Sequence, residues 1–364
     1  MKKVVIVGGG ISGVFLSILL KRENNNLDIT IIEHNNCLLK KIPATGNGKC
    51  NFANSGIITD QYNHTDFVKP ILDKFNYQDI INYFDILGIK SKQINQLIYP
   101  YSESAKTIVN ALIKEINRLK INVLLNTNFI DYKDNILITN NGDIPYDYLV
   151  ISTGGCSYST LGNDGSVFNT LKKHNYKITN LSPSLCPVRV KENVKSLEGK
   201  RYKVNAKLLN NNVLIHEENG ELLFKKDGLS GIVIFNLSHY INNIKNKNNI
   251  YISIDFVPEY KDIKSDEYDK YLDPIMSNYL INNHLDIHDT RFNFKDFYPF
   301  INSQVTSGGV SLENIDHNLN SKIDKNIYFT GEVLDISAIC GGYNIMWALS
   351  SANKVKEDIL NKIK

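Results

Sequence analysis

The chain has 364 residues and a formal net charge of +3, with 42% hydrophobic and 22% charged residues. This length is enough for two or three domains with cores of their own, and the composition is that of an ordinary globular protein. So small a net charge gives no reason to expect nucleic acid or a membrane surface as a partner. Five cysteines without CxxC spacing argue against a disulfide framework and a zinc site. We therefore expect a cytoplasmic protein without a bound metal.

The start of the chain predicts a β-α-β unit. Residues 4–7 are a short apolar run, which suits a strand buried on both faces of a parallel sheet. Residues 11–20 follow as a mostly apolar helix, and residues 28–33 predict a second strand that ends in an acid.

The middle of the chain changes character. Apolar residues at three- and four-residue spacing predict helices from about 67 to 119, and further strands are predicted at 122–130, 136–139 and 148–152. From 186 to 300, alternating residues predict antiparallel strands separated by Asn-rich and Asn-Gly turns, in four runs: 202–208, 213–216, 222–224 and 251–257.

The end of the chain returns to the style of its beginning. Residues 326–330 predict a strand and residues 342–360 a long helix, whereas residues 264–282, which belong to the preceding section, predict one or two helices. The pattern predicts an α/β fold, with one doubly wound domain built from both ends of the chain and interrupted by an insertion.

The spacing Gly8-x-Gly10-x-x-Gly13 lies between the first strand and the first helix, and Glu33 follows twenty residues after its last glycine. In this context Gly8 permits a tight turn, Gly10 lets the backbone approach a pyrophosphate, and Gly13 lets helix and strand pack closely. The helix N-terminus offers unpaired N–H groups to phosphates. An acid at position 33 suits ribose hydroxyls and opposes a 2′-phosphate, so the site favours FAD or NAD over NADP.

Two further segments favour FAD over NAD. Residues 41–54 form a loop rich in glycine and amides, and the blocks 330–335 and 340–344 combine a strand, Thr-Gly-Glu and a Gly-Gly helix start. A simple nicotinamide enzyme needs no such element. In a flavin enzyme, the positive end of the last helix would stabilise negative charge at the N1–C2=O edge of the flavin.

These motifs resemble the family of FAD-dependent oxidoreductases that includes the aminoacetone oxidase and BaiN-like proteins. The resemblance spans nearly the full length of the chain. It rests on the glycine spacing and on five later blocks, at 45–51, 153–158, 308–313, 329–332 and 341–344. It implies a discontinuous Rossmann-like FAD-binding domain at 1–185 and 301–364. It also implies an inserted β-rich domain at 186–300 with a small helical subdomain at about 259–290.

The resemblance also implies which residues contact FAD. The first glycines and Glu33 would hold the ADP half, the loop 45–51 would line the flavin, and the last block would meet the ribityl chain and ring. No catalytic residue is predicted. The complete predicted set is Gly8, Gly10, Ile11, Ser12, Gly13, Glu33, Lys41, Thr45, Gly46, Asn47, Gly48, Lys49, Cys50, Asn51, Phe129, Thr153, Gly154, Gly331, Glu332, Gly342, Tyr343, Asn344 and Ile345.

The chain departs from the family pattern at Lys49, at Lys225 and Lys226, and at Ser159 and Ile232, where the family has Pro. Lys49 stands where the family usually has Arg, which replaces a bidentate group by a point charge. Lys225 and Lys226 stand where the family has Thr-His. Cys50 has no second thiol a few residues away, so we interpret it as a packing or cofactor-wall residue rather than a redox group.

Several functions remain open at this stage. The first is an NAD(P)H-dependent reductase of a small organic acceptor, and the second is an oxidase that takes hydride from an amine-type donor and passes electrons to oxygen. A flavin-dependent RNA-modifying protein and a regulatory flavin-binding protein are further alternatives. The chain has no second complete GxGxxG, so NAD(P)H would bind transiently. We expect a small-molecule substrate and neither nucleic acid nor a membrane as partner; the oligomeric state stays open.

Overall fold

The computed structural model describes residues 1–364 and divides them into two compact units. Unit 1 is Met1–Leu181 with Val305–Lys364, and unit 2 is Ser182–Gln304. Each unit has a hydrophobic core of its own. The expected α/β fold class is confirmed: unit 1 holds a Rossmann-like parallel sheet and unit 2 a closed barrel. None of the helices combines the length and the apolar character that a bilayer crossing requires.

The elements of unit 1 come from both ends of the chain. Its strands are β1 (Lys3–Val7), β2 (Asp28–Ile32), β3 (Ala53–Asn54), β4 (Ser91–Ile94), β5 (Leu97–Pro100), β6 (Asn122–Leu124), β7 (Phe129–Lys133), β8 (Ile136–Thr139), β9 (Gly142–Pro145), β10 (Tyr148–Ile151), β18 (Val305–Ser307) and β19 (Ile327–Phe329). Its helices are α1 (Ile11–Glu23), α2 (Thr65–Leu72), α3 (Tyr77–Ile86), α4 (Ala105–Arg118), α5 (Ser166–Lys173) and α8 (Tyr343–Ile363).

The elements of unit 2 follow one another without interruption. Its strands are β11 (Ser182–Ser184), β12 (Val188–Val190), β13 (Arg201–Asn210), β14 (Val213–Lys225), β15 (Gly228–Ser230), β16 (Ile250–Asp255) and β17 (Thr290–Phe297). Its helices are α6 (Ile232–Asn242) and α7 (Pro274–Asn282).

The main sheet of unit 1 has five parallel strands in the order β19-β10-β1-β2-β6. The central strands β1 and β10 are nearly continuous apolar runs, and residues 4–7 and 148–151 are all buried, as expected for strands covered on both faces. The chain order reverses between β1 and β10, where two crossover connections diverge. In sheets of this kind a ligand binds at that switch point, beyond the carboxyl ends of the strands.

The segment 67–119 is only partly helical, so this expectation was wrong in its middle. The strands β4 and β5 form a hairpin there, and β5 also pairs with β3. Ile94 faces Leu97 across a two-residue turn in which Asn95 has a φ of 55°. Asparagine tolerates this left-handed conformation. The spacing of apolar residues could not predict this hairpin, because β5 also pairs with β3, about forty residues earlier in the chain.

Unit 2 is built on a closed barrel in the order β12-β15-β14-β13-β16-β17. The expected Asn-Gly turn at 219–220 was wrong, since both residues lie inside the long strand β14. A Cβ on Gly220 would lie 2.9 Å from Ile232 Cγ2 and 3.2 Å from Val233 Cγ1 at the start of α6. Glycine is present there because α6 packs closely on the strand. Close approach of a neighbouring segment is, besides turns and bulges, a common reason for glycine inside a strand.

Candidate functional site

The glycine-rich turn between β1 and α1 has the shape that its spacing predicts. Gly8 has a φ of 109°, a conformation that side chains disfavour. A Cβ on Gly13 would lie 2.3 Å from the Gly8 carbonyl oxygen and 2.4 Å from Ser152 Oγ, so only glycine fits there. A Cβ on Gly10, by contrast, would meet no atom within 4 Å. Gly10 therefore borders open space rather than protein.

The N-terminus of α1 is free to bind an anion. The first intrahelical hydrogen bond runs from the Val14 N–H to the Gly10 carbonyl, so the N–H groups of residues 11–13 have no partner within the helix. No side chain caps this end, and its first turn carries no acid. The side chain of Ser12 turns away and donates a hydrogen bond of 2.9 Å to the Ala348 carbonyl in α8. The first and last helices are thus joined beside the anion site.

Glu33 lies at the end of β2 with its side chain buried. Its carboxylate accepts hydrogen bonds of 2.7 Å from the Gly9 N–H, 2.7 Å from the Asn35 N–H and 2.8 Å from Asn35 Nδ2. Its backbone carbonyl accepts a hydrogen bond of 2.9 Å from the Thr127 N–H. Phe129 follows two residues later as the first residue of β7. The acid therefore holds the glycine turn in place, and the segment leading to Phe129 is fixed beside it.

The loop after β2 contains a 3₁₀ segment, Ile42–Gly48, with Lys41 directly before it. Gly46 and Asn47 are both left-handed within it, with φ values of 55° and 52°. The side chain of Thr45 closes the first turn by donating 2.7 Å to the Ile42 carbonyl. The positive φ values of Gly46 and Asn47 interrupt the 3₁₀ segment and kink the backbone within this loop.

The far end of this loop meets the start of α8. A Cβ on Gly342 would lie 2.7 Å from Asn51 Oδ1 and 2.7 Å from the Ala53 carbonyl oxygen. Asn54 Nδ2 donates 2.8 Å to the Gly341 carbonyl. Gly341 and Gly342 have φ values of 126° and 90°. Glycines are required here because the two segments touch through their backbones.

The N-terminus of α8 is the second uncapped helix end in the site. Tyr343 is buried, its carbonyl accepts a hydrogen bond of 2.7 Å from the Tyr62 hydroxyl, and burial raises the pKa of the Tyr343 hydroxyl. The side chain of Asn344 bonds the backbone N–H and carbonyl of Ala338, each at 2.9 Å. Asn344 therefore orders the loop before its own helix. Ile345 is half-buried in the first turn.

A network of four residues lies behind the site. Glu332 accepts hydrogen bonds of 2.9 Å from Lys41 Nζ, 2.9 Å from Ser157 Oγ and 2.8 Å from the Thr306 N–H. Lys41 Nζ also donates 2.7 Å to Ser157 Oγ. Burial alone would raise the pKa of Glu332, but the Lys41 ammonium and these hydrogen bonds hold the pKa below its ordinary value. The carboxylate is therefore charged at neutral pH.

Lys49 is held at the protein surface. Its ammonium lies 2.5 Å from a carboxylate oxygen of Glu103, which also pairs with Lys92. The pKa of Glu103 is lowered to about 2, mostly by the hydrogen bond from Lys49 and next by the one from Lys92. Half of the Lys49 side chain is exposed. The ion pair with Glu103 therefore holds Lys49 on the side of the loop where the β4–β5 hairpin lies.

Cys50 is fully buried within the same loop. Burial raises the pKa of its thiol to about 11, although a hydrogen bond with Thr45 lowers it slightly. A thiol with so high a pKa is a poor nucleophile at neutral pH. The surroundings of Cys50 are those of a packing residue.

Buried polar atoms without a partner surround the same region. They are Asn51 Oδ1, Thr153 Oγ1, Thr330 Oγ1 and Ser337 Oγ. Thr153 and Thr330 follow β10 and β19, beyond the carboxyl ends of the central strands. Buried hydroxyl and amide groups rarely lack partners, so these atoms indicate where a polar ligand binds. Gly154, with a φ of 74°, continues the turn after Thr153.

Sequence reasoning missed four residues of this site: Asn54, Ser157, Thr306 and Thr330. Ser157 and Thr330 stand within motifs that carried the family resemblance, so position alone could have found them. Thr306 gives no sequence signal, because its role depends on β18 lying beside the turn after β10. Its hydroxyl accepts hydrogen bonds from the Cys156 and Ser157 N–H groups, at 2.7 and 3.1 Å.

The parallel sheet, the glycine turn and the second helix start define a dinucleotide-binding flavoprotein. The chain belongs to the family of the HI0933-like protein Rossmann domain, whose model matches residues 2–357. It is 27% identical to a 3-dehydro-bile acid delta(4,6)-reductase of Clostridium scindens, over 96% of both chains. It is 25% identical to the ribosomal RNA dihydrouridine synthase of Haemophilus influenzae over 96% of both chains. It is 24% identical to the ribosomal RNA dihydrouridine synthase of Escherichia coli, over 98% of this chain and 97% of that protein.

Solved structures show the same fold at low identity. A 3-ketosteroid delta1-dehydrogenase from Sterolibacterium denitrificans matches over 100% of both chains, with a TM-score of 0.53 and 10% identity. The FrdA subunit of Escherichia coli quinol fumarate reductase matches over 100% of this chain and 71% of its own, with a TM-score of 0.52 and 12% identity.

The family is one of FAD-binding flavoproteins, so the cofactor of this chain is FAD and the chain is a flavin-dependent oxidoreductase. The residues present fit this cofactor. Gly10 leaves space beside an uncapped helix end, a buried acid ends the second strand, and unpartnered polar atoms border the remaining length.

Proposed function

We propose that this protein is an NAD(P)H-dependent reductase that adds hydrogen across a carbon–carbon double bond conjugated to a carbonyl group in a small organic acceptor. The names of the relatives support this reaction type. A delta(4,6)-reductase and a dihydrouridine synthase both saturate a carbon–carbon double bond. In uridine that bond is conjugated to a ring carbonyl, and in a 3-dehydro steroid the 3-carbonyl offers the same activation.

The observation that carries the flavin chemistry of this proposal is the pair of uncapped helix N-termini, those of α1 and α8. The N-terminus of α1 would bind the pyrophosphate, and Glu33 would accept hydrogen bonds from the adenosine ribose. The N-terminus of α8 would face the N1–C2=O edge of the flavin, where it stabilises the negative charge of the reduced state. The loop from Thr45 to Asn51 would line the ring. FAD supplies hydride transfer at N5.

A nicotinamide donor would bind without a Rossmann site of its own. The chain has one complete glycine fingerprint, and in this proposal FAD occupies it. Glu33 is buried beside the glycine turn, so a 2′-phosphate at this position would meet a fixed negative charge. We therefore propose that NADH or NADPH reduces the flavin and then leaves.

RNA is the second candidate substrate, because two relatives are named for ribosomal RNA. The charge distribution favours the small molecule. In unit 2 the basic and acidic residues are equal in number, and six of the cations, Arg189, Lys200, Arg201, Lys207, Lys270 and Arg291, are paired with carboxylates. Binding to an RNA backbone usually depends on unpaired basic groups that neutralise several phosphates.

The proposal is tested by an anaerobic visible spectrum of the purified protein, recorded before and after addition of NADH and then NADPH. We expect flavin bands that bleach with one of the two, and that return when a cyclic enone is added in the absence of oxygen. A 3-keto-4-ene steroid and a uridine-rich RNA provide the two acceptor arms. Reoxidation by RNA alone, together with RNA retention that falls steeply with salt, would replace the small acceptor by RNA.

Other outcomes contradict the proposal in different ways. Flavin bands that no pyridine nucleotide bleaches, but that an amine bleaches and oxygen restores, would identify an oxidase. Absence of flavin bands after purification with added FAD would contradict the cofactor assignment.

A further inference from the structure

Glu332 presents an electrostatic problem for an anionic cofactor. Its side chain is one-fifth exposed, and the residue before it, Gly331, packs against the start of α1. A Cβ on Gly331 would lie 3.2 Å from Ser12 Cβ. A charged carboxylate therefore stands on the segment that adjoins the proposed pyrophosphate site, where like charges would repel.

Lys41 is the cation that pairs with the Glu332 carboxylate. Its ammonium lies 2.9 Å from Glu332 Oε2 and 2.7 Å from Ser157 Oγ, which uses two of its three N–H donors. Three-quarters of the Lys41 side chain is buried. The other carboxylate oxygen, Oε1, is occupied by Ser157 and the Thr306 N–H. Both members of the pair are thus engaged with protein groups before any cofactor is considered.

We propose that Lys41 is a charge-compensating positioning residue: its ammonium neutralises Glu332, so that the carboxylate can order Ser157 and Thr306 behind the site without repelling the cofactor's diphosphate. The inference rests on the FAD placement proposed above. It differs from the sequence expectation, in which Lys41 and Glu332 each contact the cofactor directly. It also explains why two residues 291 positions apart carry opposite charges at this one place.

Three roles can be compared: Lys41 compensating Glu332, Lys41 binding phosphate directly, and Glu332 accepting a hydrogen bond from a cofactor hydroxyl. They predict different FAD affinities in three variants, K41M, E332Q and the double variant K41M/E332Q. If Lys41 compensates Glu332, K41M weakens FAD binding roughly tenfold or more, because it leaves an unpaired carboxylate in the site. E332Q alone then weakens FAD binding less than K41M does, because it disturbs the hydrogen bonds of this carboxylate but leaves no unpaired negative charge, and the double variant recovers most of the K41M loss. If Lys41 bound phosphate directly, E332Q would not rescue K41M. If Glu332 accepted a cofactor hydroxyl, E332Q alone would be as harmful as K41M.

The experiment titrates FAD, ADP-ribose and riboflavin into flavin-free full-length protein, with flavin fluorescence and calorimetry as readouts. We expect K41M to weaken FAD and ADP-ribose, which carry the diphosphate, and to leave riboflavin unchanged. The K41M defect should shrink as salt is raised from 50 to 500 mM, because salt screens repulsion between partly exposed charges. A defect independent of both diphosphate and salt would overturn the proposal.

The chain offers a matched control in the Lys356–Glu23 ion pair. Its N–O distance is 2.6 Å, and it joins α8 to the last residue of α1, at the opposite end of that helix from the glycine turn. K356M should lower thermal stability by a similar amount and leave FAD affinity unchanged. Equal loss of FAD binding in K356M would show that stability, not local charge, causes the effect.

Two further comparisons keep the test decisive. If K41M does not fold alone, E332Q is compared with the double variant, and the proposal requires equal FAD affinity in the two. A large loss in the double variant would overturn it. The wild-type titration tests the cofactor placement itself, so failure of wild type to bind FAD is distinguished from failure of the compensation.

Discussion

The backbone N–H of Gly9 donates a hydrogen bond of 2.7 Å to the buried carboxylate of Glu33, 24 positions further along the chain. This bond ties the glycine turn after β1 to the end of β2. A Cβ on Gly9 would lie 3.0 Å from Glu33 Oε2 and 2.4 Å from Leu38 Cδ2, so a larger residue here would have to displace the end of the Leu38 side chain. The acid that sequence reasoning assigns to the ribose therefore also fixes the shape of the turn.

Replacing Glu33 by glutamine is expected to weaken FAD binding about tenfold, which corresponds to about 1.4 kcal/mol. One side of the amide presents N–H groups to the Gly9 and Asn35 donors, and a buried donor without an acceptor is costly. Riboflavin, which lacks the adenosine half, should bind equally to both proteins. Fluorescence titration measures the difference, and D28N at the start of the same strand is the control. Equal losses for FAD and riboflavin would contradict a role at the adenosine end.

Alanine at Gly10 and at Gly13 should separate binding from folding. The G10A side chain has open space in the protein, so the melting temperature without cofactor should stay within about 2 °C, while FAD affinity falls because the methyl group occupies the ligand's approach. The G13A side chain would clash with the Gly8 carbonyl and should destabilise the protein by about 1–3 kcal/mol. Thermal melts with and without FAD test both. Normal FAD binding by G10A would exclude the glycine turn as the pyrophosphate site.

Alkylation should distinguish the cysteines. Burial raises the pKa of Cys50 to about 11, whereas Cys37 is exposed. Iodoacetamide at pH 8 should label Cys37 first, and Cys50 should stay unmodified in the folded protein at that pH. Because this thiol ionises more easily in the unfolded chain, its contribution to stability is lost as pH rises from about 9 toward 11. Peptide mass spectrometry measures the order, and rapid labelling of Cys50 would contradict the structure.

Glu115 should make the protein sensitive to acid. Hydrogen bonds from Arg118, and then from Arg22, lower the pKa of its buried carboxyl group to about 2. The stabilisation is complete above the ordinary pKa of 4.5 and is lost as pH falls toward 2. We expect E115Q to lose about 2–3 kcal/mol at pH 7 and to show a flatter decline below pH 4.5.

Urea unfolding at pH 7, 4.5 and 3 measures the effect of E115Q. The exposed pair Lys69–Asp73 provides the control, since D73N removes a carboxylate from a surface ion pair. D73N should change the free energy of unfolding by less than about 0.5 kcal/mol. An equal effect of both substitutions would show that the Glu115 network contributes nothing beyond surface charge.

Residues 182–304 should fold when expressed alone, because they form an uninterrupted segment with a closed barrel and a core of their own. We expect one cooperative thermal transition and dispersed amide resonances. F292A removes a fully buried ring and should lower stability by about 3–5 kcal/mol, which checks that the transition reports this core. A fragment without a transition would argue against an independent inserted domain.

The sequence predicted those parts of the fold that depend on local pattern. The apolar strands, the glycine turn with its acid and the Gly-Gly helix start each need particular residues close together in sequence. The β4–β5 hairpin and the glycine inside β14 were misinterpreted, because a distant strand and a packed helix decide them. The sequence could not predict the network behind the site, because its members, Lys41, Ser157, Thr306 and Glu332, come from four separate segments.

The placement of β19 and α8 at the end of the sequence has a consequence for biosynthesis. β10 leaves the ribosome long before β19, and at about 5–20 residues per second the delay is on the order of ten to thirty seconds. During that interval the nascent sheet exposes the edge of β10, and Ser12 has no Ala348 to bond. Flavin loading at the start of α8 therefore has to wait until that helix has been synthesised, and the growing chain has to be kept from pairing through the edge of β10 until β19 is present.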